Sequence, residues 1–484
     1  MNTTKTSGIL AVAMAATGLC SAAENSGHPF TTTSPAAPGD AAMQVTCLDD
    51  KDAQVAVPCN KDAQTDVPVA GGWNSRTDAA TDAIKNALRL YKAESDSSFI
   101  QEVKLSWMEQ YQIAVVQPSG GNGSILKPGA SPFNQEFRRS WVGLNVKTNT
   151  GTLFHTWMRI GGLPMRSTYV GGRTRKNYSY ADIFDLYIRQ DIPGVDGLSV
   201  SVGKLKPLFT MDYTEASSKI KCVERSVIGQ FSGLDSNWGV DVTYKPQKNL
   251  TFYVQLLAND RANNAKSMSH SDVYRDGRGL KGEFGWEDKC YAILGARYRF
   301  HETADSSHEV VFQYAHDFNN VYDGHREPGA NCYGIGMQDG ISVGYIYNRN
   351  KFTLMANAVA FFDVLGAEGG GGSNCYGLQV QPSYLLTPNV ELVLRYTALS
   401  SLDFGNAGGN PVRLAADRYI CTQTIAPAWV EHLNAFYIGA NFFLSAKNPD
   451  ALKFMIGAEY MTTRATGGTA YCGWEFTSAV RWSF

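Results

Sequence analysis

The amino-acid sequence predicts an all-β fold, a transmembrane antiparallel β-barrel of about 16 strands with a short N-terminal amphipathic helix. This prediction rests on the C-terminal segment, on the period of the apolar residues and on the lengths of the connections. In residues 474–484, Trp474, Phe476 and Val480 alternate with polar side chains, and the chain ends at Phe484. Lipid offers the backbone no hydrogen-bond partner, so a strand with a lipid-facing side requires a closed sheet.

The N-terminus has the pattern of a secretory signal peptide over residues 1–23. Lys5 supplies the positive charge, residues 8–20 form a short apolar stretch, and Ser21-Ala22-Ala23 is a suitable cleavage site. The apolar stretch is too short to span a bilayer as a helix. We therefore expect export of the chain and removal of this segment.

Two further segments precede the predicted barrel. Residues 24–75 are predicted to form an irregular periplasmic leader, and residues 76–95 are predicted to contain the amphipathic helix. Apolar residues recur on one side of that helix with helical spacing. They are Ala80, Ile84, Ala87, Leu88 and Tyr91. We expect this apolar side to serve packing or oligomerisation.

Residues 100–484 have a period of two, which is typical of strands with one face in lipid. About sixteen such segments occur, and a bacterial single-chain barrel requires an even number. Short turns, such as 147–151 and 445–450, alternate with long connections, such as 205–235 and 402–432. Bacterial barrels have short periplasmic turns and long extracellular loops, so both termini are predicted to lie on the periplasmic side.

Composition agrees with a barrel and excludes other classes of protein. Beyond the signal segment the chain has no run of about 18 apolar residues, so no transmembrane helix is predicted. Of the 43 basic residues, one lies in the signal segment, so that the rest of the chain has 42 basic and 45 acidic residues. This balance excludes a strongly basic nucleic-acid-binding protein.

The sequence carries no motif that indicates an enzyme. The histidines do not have HExxH spacing. No two cysteines form a CxxC pair, which argues against a zinc site. We therefore predict no catalytic activity, no metal and no cofactor.

If the apolar residues of each strand face lipid, their neighbours face the lumen. The predicted inward basic residues are Arg139, Lys147, Arg159, Arg189, Arg297, Arg299, Arg395, Lys453 and Arg481, and the acidic ones are Glu102, Asp185, Asp241, Glu309, Glu391, Glu459 and Glu475. Such a mixed interior requires water and predicts a filled channel. The arginines at 159, 189, 297, 299, 395 and 481 are predicted to form a basic strip with a weak bias toward anions. The alternative is that these charges only solvate the wall.

Connection 205–235 is the one that we expect to fold inward as a constriction. Its candidate anion-binding residues are Lys206, Ser218, Lys219, Lys221 and Arg225. Ammonium groups beside hydroxyls suit a phosphate oxyanion, because charge and directed donors act together. A solvated extracellular loop would also tolerate these residues.

Eight cysteines lie beyond the signal segment. They are Cys47, Cys59, Cys222, Cys290, Cys332, Cys375, Cys421 and Cys472. An even number in an exported chain favours disulfides, because the compartment is oxidising. Cys47 and Cys59 are the simplest pair, and we expect the other six to tie long extracellular loops together.

The centre of the chain resembles the phosphate-selective porins O and P. The similar residues are Gly203-Lys204-Leu205-Lys206-Pro207-Leu208-Phe209, the pair Glu224-Arg225 and the strand start at 233–240. The resemblance implies a sixteen-stranded, homotrimeric channel in the lipid of the bacterial outer membrane, for small anions such as phosphate. Ser236-Asn237 replace the charged Arg-Asp of the family pattern, and the leader has no counterpart.

Two other functions remain open at this stage. One is a general or carbohydrate-type diffusion porin, because the basic and acidic lumen residues are nearly balanced. The other is a structural or surface-display barrel without selective transport, because the connections at 205–235, 259–289 and 402–432 are long.

Overall fold

In the computed structural model, sixteen antiparallel strands close into one barrel, as the sequence predicts. The structure describes residues 73–118, 133–160, 166–170, 173–177, 182–231, 236–258, 290–318, 337–364, 373–401, 432–464 and 471–484. The predicted signal segment, nearly all of the leader and most of the long connections lie outside these residues.

The elements are numbered in chain order. Outside the barrel wall are α1 (Trp73–Leu88), β1 (Arg89–Lys92), β5 (Arg166–Val170), β6 (Arg173–Asn177), α2 (Met211–Thr214) and α3 (Val227–Phe231). The barrel strands are β2 (Ile100–Pro118), β3 (Phe133–Thr148), β4 (Thr152–Arg159), β7 (Asp182–Asp191), β8 (Leu198–Leu205), β9 (Asn237–Gln247), β10 (Leu250–Ala258), β11 (Cys290–Phe300), β12 (Ser306–Asp317), β13 (Asp339–Arg349), β14 (Phe352–Val364), β15 (Ser373–Thr387), β16 (Val390–Ser401), β17 (His432–Phe443), β18 (Leu452–Arg464) and β19 (Tyr471–Ser483).

Each barrel strand pairs with its neighbours in sequence order, and β19 closes the sheet by pairing with β2. β5 and β6 form a separate hairpin in the connection between β4 and β7. The closing pair has Val480 opposite Tyr111 and Arg481 opposite Gln110. The sheet therefore has no open edge along the barrel wall.

The two faces of the wall differ in chemistry. In β17, Phe436 and Ile438 point outward and are more than half exposed, whereas Tyr437 between them points inward and is buried. The same alternation of direction runs through the other barrel strands. Large apolar side chains are exposed outside, whereas the inner face carries polar side chains together with a buried apolar cluster that includes Leu257, Ile293 and Phe361. Buried inward polar residues include Gln313, Asn357, Gln379, Thr397, Glu459 and Arg481. An apolar exterior around a polar interior is the architecture of a transmembrane β-barrel.

At one end of the barrel every connection between neighbouring strands is short, and we call it the short-turn end. The turns range from two residues between Gln247 and Leu250 to eight between Phe443 and Leu452. The C-terminus lies at this end, as does β1. Connections at the opposite end include residues outside the described ranges. The asymmetry follows the predicted alternation, while the orientation in a membrane remains a prediction.

Helix α1 contacts the turn between β17 and β18 through polar side chains. Lys447 Nζ lies 2.7 Å from Asp82 Oδ2, Lys85 Nζ donates to Asn448 Oδ1 at 2.6 Å, and Ser445 Oγ donates to Asp78. The hydrogen bond from Lys447 lowers the pKa of Asp82, and the same bond raises the pKa of Lys447. Among the described residues, no helix is long and apolar enough to cross a membrane.

The apolar side of this helix is exposed and does not pack against the barrel, so of the two expected roles oligomerisation stays a prediction. Ile84 is 39% exposed, and the helix ends at Leu88, so that Tyr91 belongs to β1. The reason is the chemistry of the docking surface: the β17–β18 turn offers Ser445, Lys447 and Asn448, which select the polar side of α1.

Strand β1 continues the sheet where the C-terminal strand ends. Phe484 exchanges backbone hydrogen bonds of 2.8 and 3.0 Å with Trp107, and β1 then takes over the edge of β2, with Lys92 opposite Glu102. The segment after α1 therefore completes the seam below the C-terminus.

Candidate functional site

Residues 206–231, which we call the inward loop, lie inside the barrel and contact the inner wall, as the sequence predicts for connection 205–235. The loop contains the short helices α2 and α3. Most of its described side chains are buried, including Phe209, Tyr213, Val223 and Arg225. Because this segment occupies the lumen, it is the candidate constriction of the channel.

The first part of the inward loop is held by neutral amides, which we call the amide attachment. Gln255 Oε1 accepts from the Leu208 backbone N–H at 2.8 Å, and Gln255 Nε2 donates to the Lys206 carbonyl at 3.2 Å. Gln313 donates to the Leu208 carbonyl at 3.1 Å, and Asn357 accepts from the Met211 N–H at 3.2 Å. These amides lie on β10, β12 and β14, where the period of two places them inward.

The later part of the loop is held by charged side chains, which we call the charged attachment. Glu224 Oε1 lies 3.0 Å from Arg138 Nε, and Glu224 Oε2 lies 3.2 Å from Arg139 Nη2. Arg395 Nη1 donates to the Glu224 carbonyl at 2.8 Å and Arg481 Nη2 to the Val223 carbonyl at 2.9 Å. The sequence indicates Glu224 only through the family motif and gives no sign of its ion pairs with Arg138 and Arg139.

The charged attachment extends along β15, β16 and β18. Lys221 Nζ lies 2.6 Å from Glu391 Oε1 and 2.8 Å from Ser383 Oγ. Lys453 Nζ donates to the Ser218 carbonyl at 2.6 Å. The cations of this wall thus bind loop carbonyls and loop carboxylates, which fixes the position of the loop.

Two basic residues of the inward loop serve its internal structure. Lys206 Nζ donates to the Tyr213 carbonyl at 2.7 Å and lies 4.6 Å from the centre of the Tyr213 ring. Arg225 donates to the carbonyls of Asp212 and Glu215. Thr210, before α2, has a φ of 59°, a left-handed conformation that a threonine adopts only when its surroundings impose it.

Glycines on β13 leave room for the loop. A Cβ atom on Gly340 would lie 2.4 Å from Phe209 Cζ, and one on Gly344 would lie 2.5 Å from Met211 Sδ. Side chains at these positions would collide with the loop, so the wall is shaped to receive it.

Apart from Leu208, the partly exposed described residues of the inward loop are Thr214, Glu215, Ala216, Lys219 and Lys221, which we call the exposed loop edge. Of the five predicted anion-binding residues, the structure places only Lys219 and Lys221 on this edge. Lys206, Ser218 and Arg225 are buried, and Lys221 is paired with Glu391. Lys219 alone of the five has an ammonium group without a hydrogen bond to another described residue.

The six arginines of the predicted basic strip all belong to the inner wall, but they do not form a strip. Arg395 and Arg481 are buried in the charged attachment, and Arg159 lies 5.1 Å from the centre of the Phe184 ring. Arg189 is paired with Asp191 at 3.0 Å. Arg297 and Arg299 both contact Glu309, through N···O distances of 2.8 and 3.2 Å. Each reachable arginine therefore has a carboxylate beside it.

The cysteines correct the disulfide prediction in part. Cys222 lies inside the barrel, where its thiol donates to Gln381 Oε1 at 3.4 Å, and Cys375 is a free, buried thiol of the wall. Cys472 is a thiol in contact with the Tyr460 hydroxyl. The predicted disulfides are absent at these three positions because the side chains lie apart: Cys222 follows the loop inward, Cys375 is buried on the inner face opposite Phe361, and Cys472 has the outward parity of Trp474.

The remaining cysteines differ from these thiols. Cys290 is disulfide-bonded, and its partner is not among the described residues. Cys47, Cys59, Cys332 and Cys421 lie outside the described residues. Within the ranges that the structure describes, no group of three or more His, Cys, Asp or Glu side chains is placed to hold a metal ion.

The fold and the inward loop define a closed transmembrane β-barrel with a partly filled polar lumen. No protein-family model and no curated protein matches the chain. Among solved structures, it is similar to the outer membrane channel DcaP of Acinetobacter baumannii, with a TM-score of 0.47 and 14% identity over 82% of this chain and 100% of that chain.

Two other solved structures have comparable similarity. OprB of Pseudomonas putida has a TM-score of 0.47 and 12% identity over 79% of this chain and 94% of that chain. OprD of Pseudomonas aeruginosa has a TM-score of 0.40 and 12% identity over 81% of this chain and 99% of that chain. These similarities concern the fold and carry no information on the solute or the selectivity of this chain.

Proposed function

We propose that the protein is a porin of the bacterial outer membrane, through which small solutes diffuse passively past the inward loop. The observation that carries the proposal is a loop fixed across the polar lumen of a closed barrel. The apolar exterior supports a location in lipid, and the predicted signal segment supports export. A homotrimer is an expectation from the family resemblance, which chemical cross-linking in the membrane would test.

The anion preference that we propose is slight and depends on Lys219. Lys221 and the reachable wall arginines are neutralised by adjacent carboxylates, which weakens their field in the lumen. Glu215 lies on the same exposed edge as Lys219, with no ion pair to another described residue. Specific phosphate binding has less support, because the wall holds Ser236 and Asn237 where the family pattern is charged.

Single-channel recording in planar bilayers tests this function. We expect open-channel conductance in potassium chloride, with a reversal potential that indicates slightly greater permeability to chloride. Lys219→Gln should shift the reversal potential toward cations by a few millivolts, and Glu215→Gln should shift it toward anions.

Recording the wild type and both variants tests the porin function and the slight anion preference separately. Absence of conductance in the wild type would contradict the porin function. Normal conductance with identical reversal potentials in both variants would contradict the role of the exposed loop edge and leave an unselective porin.

A further inference from the structure

An acidic side chain projects from the lipid-facing side of the barrel. Glu109 on β2 lies directly opposite Trp482 on β19 and Ser140 on β3. In β19 the alternate residues Trp474 and Phe476 are exposed on the outer surface, and Trp482 has the same parity. Cross-strand partners share a face, so Glu109 also belongs to the outer surface.

Glu109 is 8% exposed, and its carboxylate has no cationic partner. Its Oε2 accepts hydrogen bonds from Ser140 Oγ at 3.0 Å and from Trp107 Nε1 at 3.3 Å. Among the described residues, no Lys, Arg or His makes an ion pair with it. A largely buried carboxylate without a counter-ion is costly, and a cation from outside the chain would offset that cost.

Aromatic rings border the carboxylate. The rings of Trp107 and Trp482 meet edge to face with 5.9 Å between their centres, and Trp107 is 38% exposed. Indole faces attract ammonium groups, so the rings and the carboxylate favour the same kind of ligand. We call Trp107, Glu109, Ser140 and Trp482 the outer carboxylate site.

The site lies at the depth of lipid headgroups. Trp482 is next but one to the C-terminal Phe484, at the short-turn end. Exposed aromatic side chains surround the barrel near this end, as in the interfacial belts of membrane proteins. They include Tyr244, Phe252, Tyr298, Tyr384, Phe442 and Phe454.

The geometry points to a bound phospholipid whose headgroup carries a primary ammonium, as phosphatidylethanolamine does. The ammonium donates to Glu109 and lies against the Trp107 ring, while the acyl chains follow the apolar outer wall. Lipid is favoured over a protein partner because the neighbouring outward residues, Tyr111, Ile160 and Val480, carry no charge that a partner surface would pair. The site is independent of conduction through the lumen.

Native mass spectrometry of the full-length protein tests the site. We would titrate phosphatidylethanolamine and, separately, phosphatidylglycerol into the detergent-solubilised protein. We expect retention of phosphatidylethanolamine to exceed that of phosphatidylglycerol and to fall about fivefold in Glu109→Gln. Gln keeps the acceptor for Ser140 and Trp107 but removes the charge.

Glu102→Gln is the matched control, because Glu102 on the same strand is already paired with Arg89 at 2.9 Å. Its lipid retention should equal that of the wild type, and heat-modifiable migration of all variants confirms that they fold. Equal retention of both lipids, or equal retention by wild type and Glu109→Gln, overturns the site. Loss of an oligomer in Glu109→Gln with unchanged lipid retention would identify a second copy as the partner and overturn it as well.

Discussion

The inward loop is attached to the barrel in two chemically different ways. Its first part, up to Met211, is held by the neutral amides of Gln255, Gln313 and Asn357, whereas its later part is held by Glu224 and the surrounding arginines. Neutral amides satisfy loop backbone groups without adding charge. The charged attachment does more, because it also removes wall charges from the field that a solute meets. Charge inside a barrel therefore does not by itself indicate solute selectivity.

Glu224→Gln should have the largest effect, since it removes the carboxylate that Arg138 and Arg139 share. Breaking a buried ion pair from one side costs about 3–5 kcal/mol. We expect the later part of the loop to detach, with a lower denaturation midpoint and a larger single-channel conductance. Wild-type conductance together with an unchanged midpoint would show that the charges do not hold the loop.

Gln255→Leu should have the next largest effect. It leaves the Leu208 N–H and the Lys206 carbonyl without their wall partner, at a cost of about 1–3 kcal/mol. We expect faster hydrogen exchange near 206–211 and a modest drop in the denaturation midpoint. The matched control is Gln379→Leu, because the buried Gln379 amide has no hydrogen-bond partner in the described residues. A larger loss of stability in the control would contradict the amide attachment.

Glu309→Gln tests the part of the inner wall that the inward loop does not cover and that a solute can reach. Glu309 is itself 8% exposed, but its partners Arg297 and Arg299 have side chains that are 23% and 18% exposed, so water can solvate the guanidinium groups when the carboxylate is removed. Stability should therefore change less than in Glu224→Gln, while permeability to anions should rise, because Arg297 loses its counter-charge and Arg299 keeps only the exposed Glu302 at 3.7 Å. Reversal potentials in a chloride gradient measure this change, and an unshifted value would place these arginines away from the conducting path.

The smallest effect is expected at the docking of α1, where the Asp82–Lys447 pair is exposed to water. The pKa of Asp82 is lowered, so its contribution is present above its ordinary pKa and is lost as the pH falls through the folded value. The pKa of Lys447 is raised, so its contribution is lost as the pH rises through that raised value. The hydrogen-exchange protection of residues 73–88, corrected for the pH dependence of intrinsic exchange, should therefore be highest between these limits.

High salt should speed this exchange, because an exposed pair is screened. Asp82→Asn should remove the acidic limb of the pH dependence. If the hydrogen-exchange protection of α1 changes with neither pH nor salt, contacts other than this pair hold the helix.

Alternation of apolar residues was sufficient to predict the barrel and the direction of its charged side chains. Arg395 and Arg481 were placed inward because their neighbours on each strand are apolar, and lipid enforces that pattern strictly. The inward path of connection 205–235 was predicted from its place after the fifth predicted strand. These features depend on local sequence and on the chemistry of the bilayer.

The partners of the charges could not be read from the sequence. Arg225 and Lys206 donate to carbonyls within the loop, and Arg481 donates to Val223, which is 258 positions away. Backbone carbonyls have no sequence signature, so such contacts become visible only when the tertiary path is known. For the same reason Cys222, expected in an extracellular loop, was not anticipated inside the lumen.

Two separate segments of the chain, β1 and β19, share one edge of β2. β19 and Phe484 pair with β2 only as far as Trp107, and β1 pairs with the part of the same edge below it, where Lys92 lies opposite Glu102. The seam of the barrel is thus completed by a segment that precedes the barrel strands as well as by the C-terminal strand. Residues 89–92 therefore cover the part of the β2 edge that the C-terminal strand leaves unpaired.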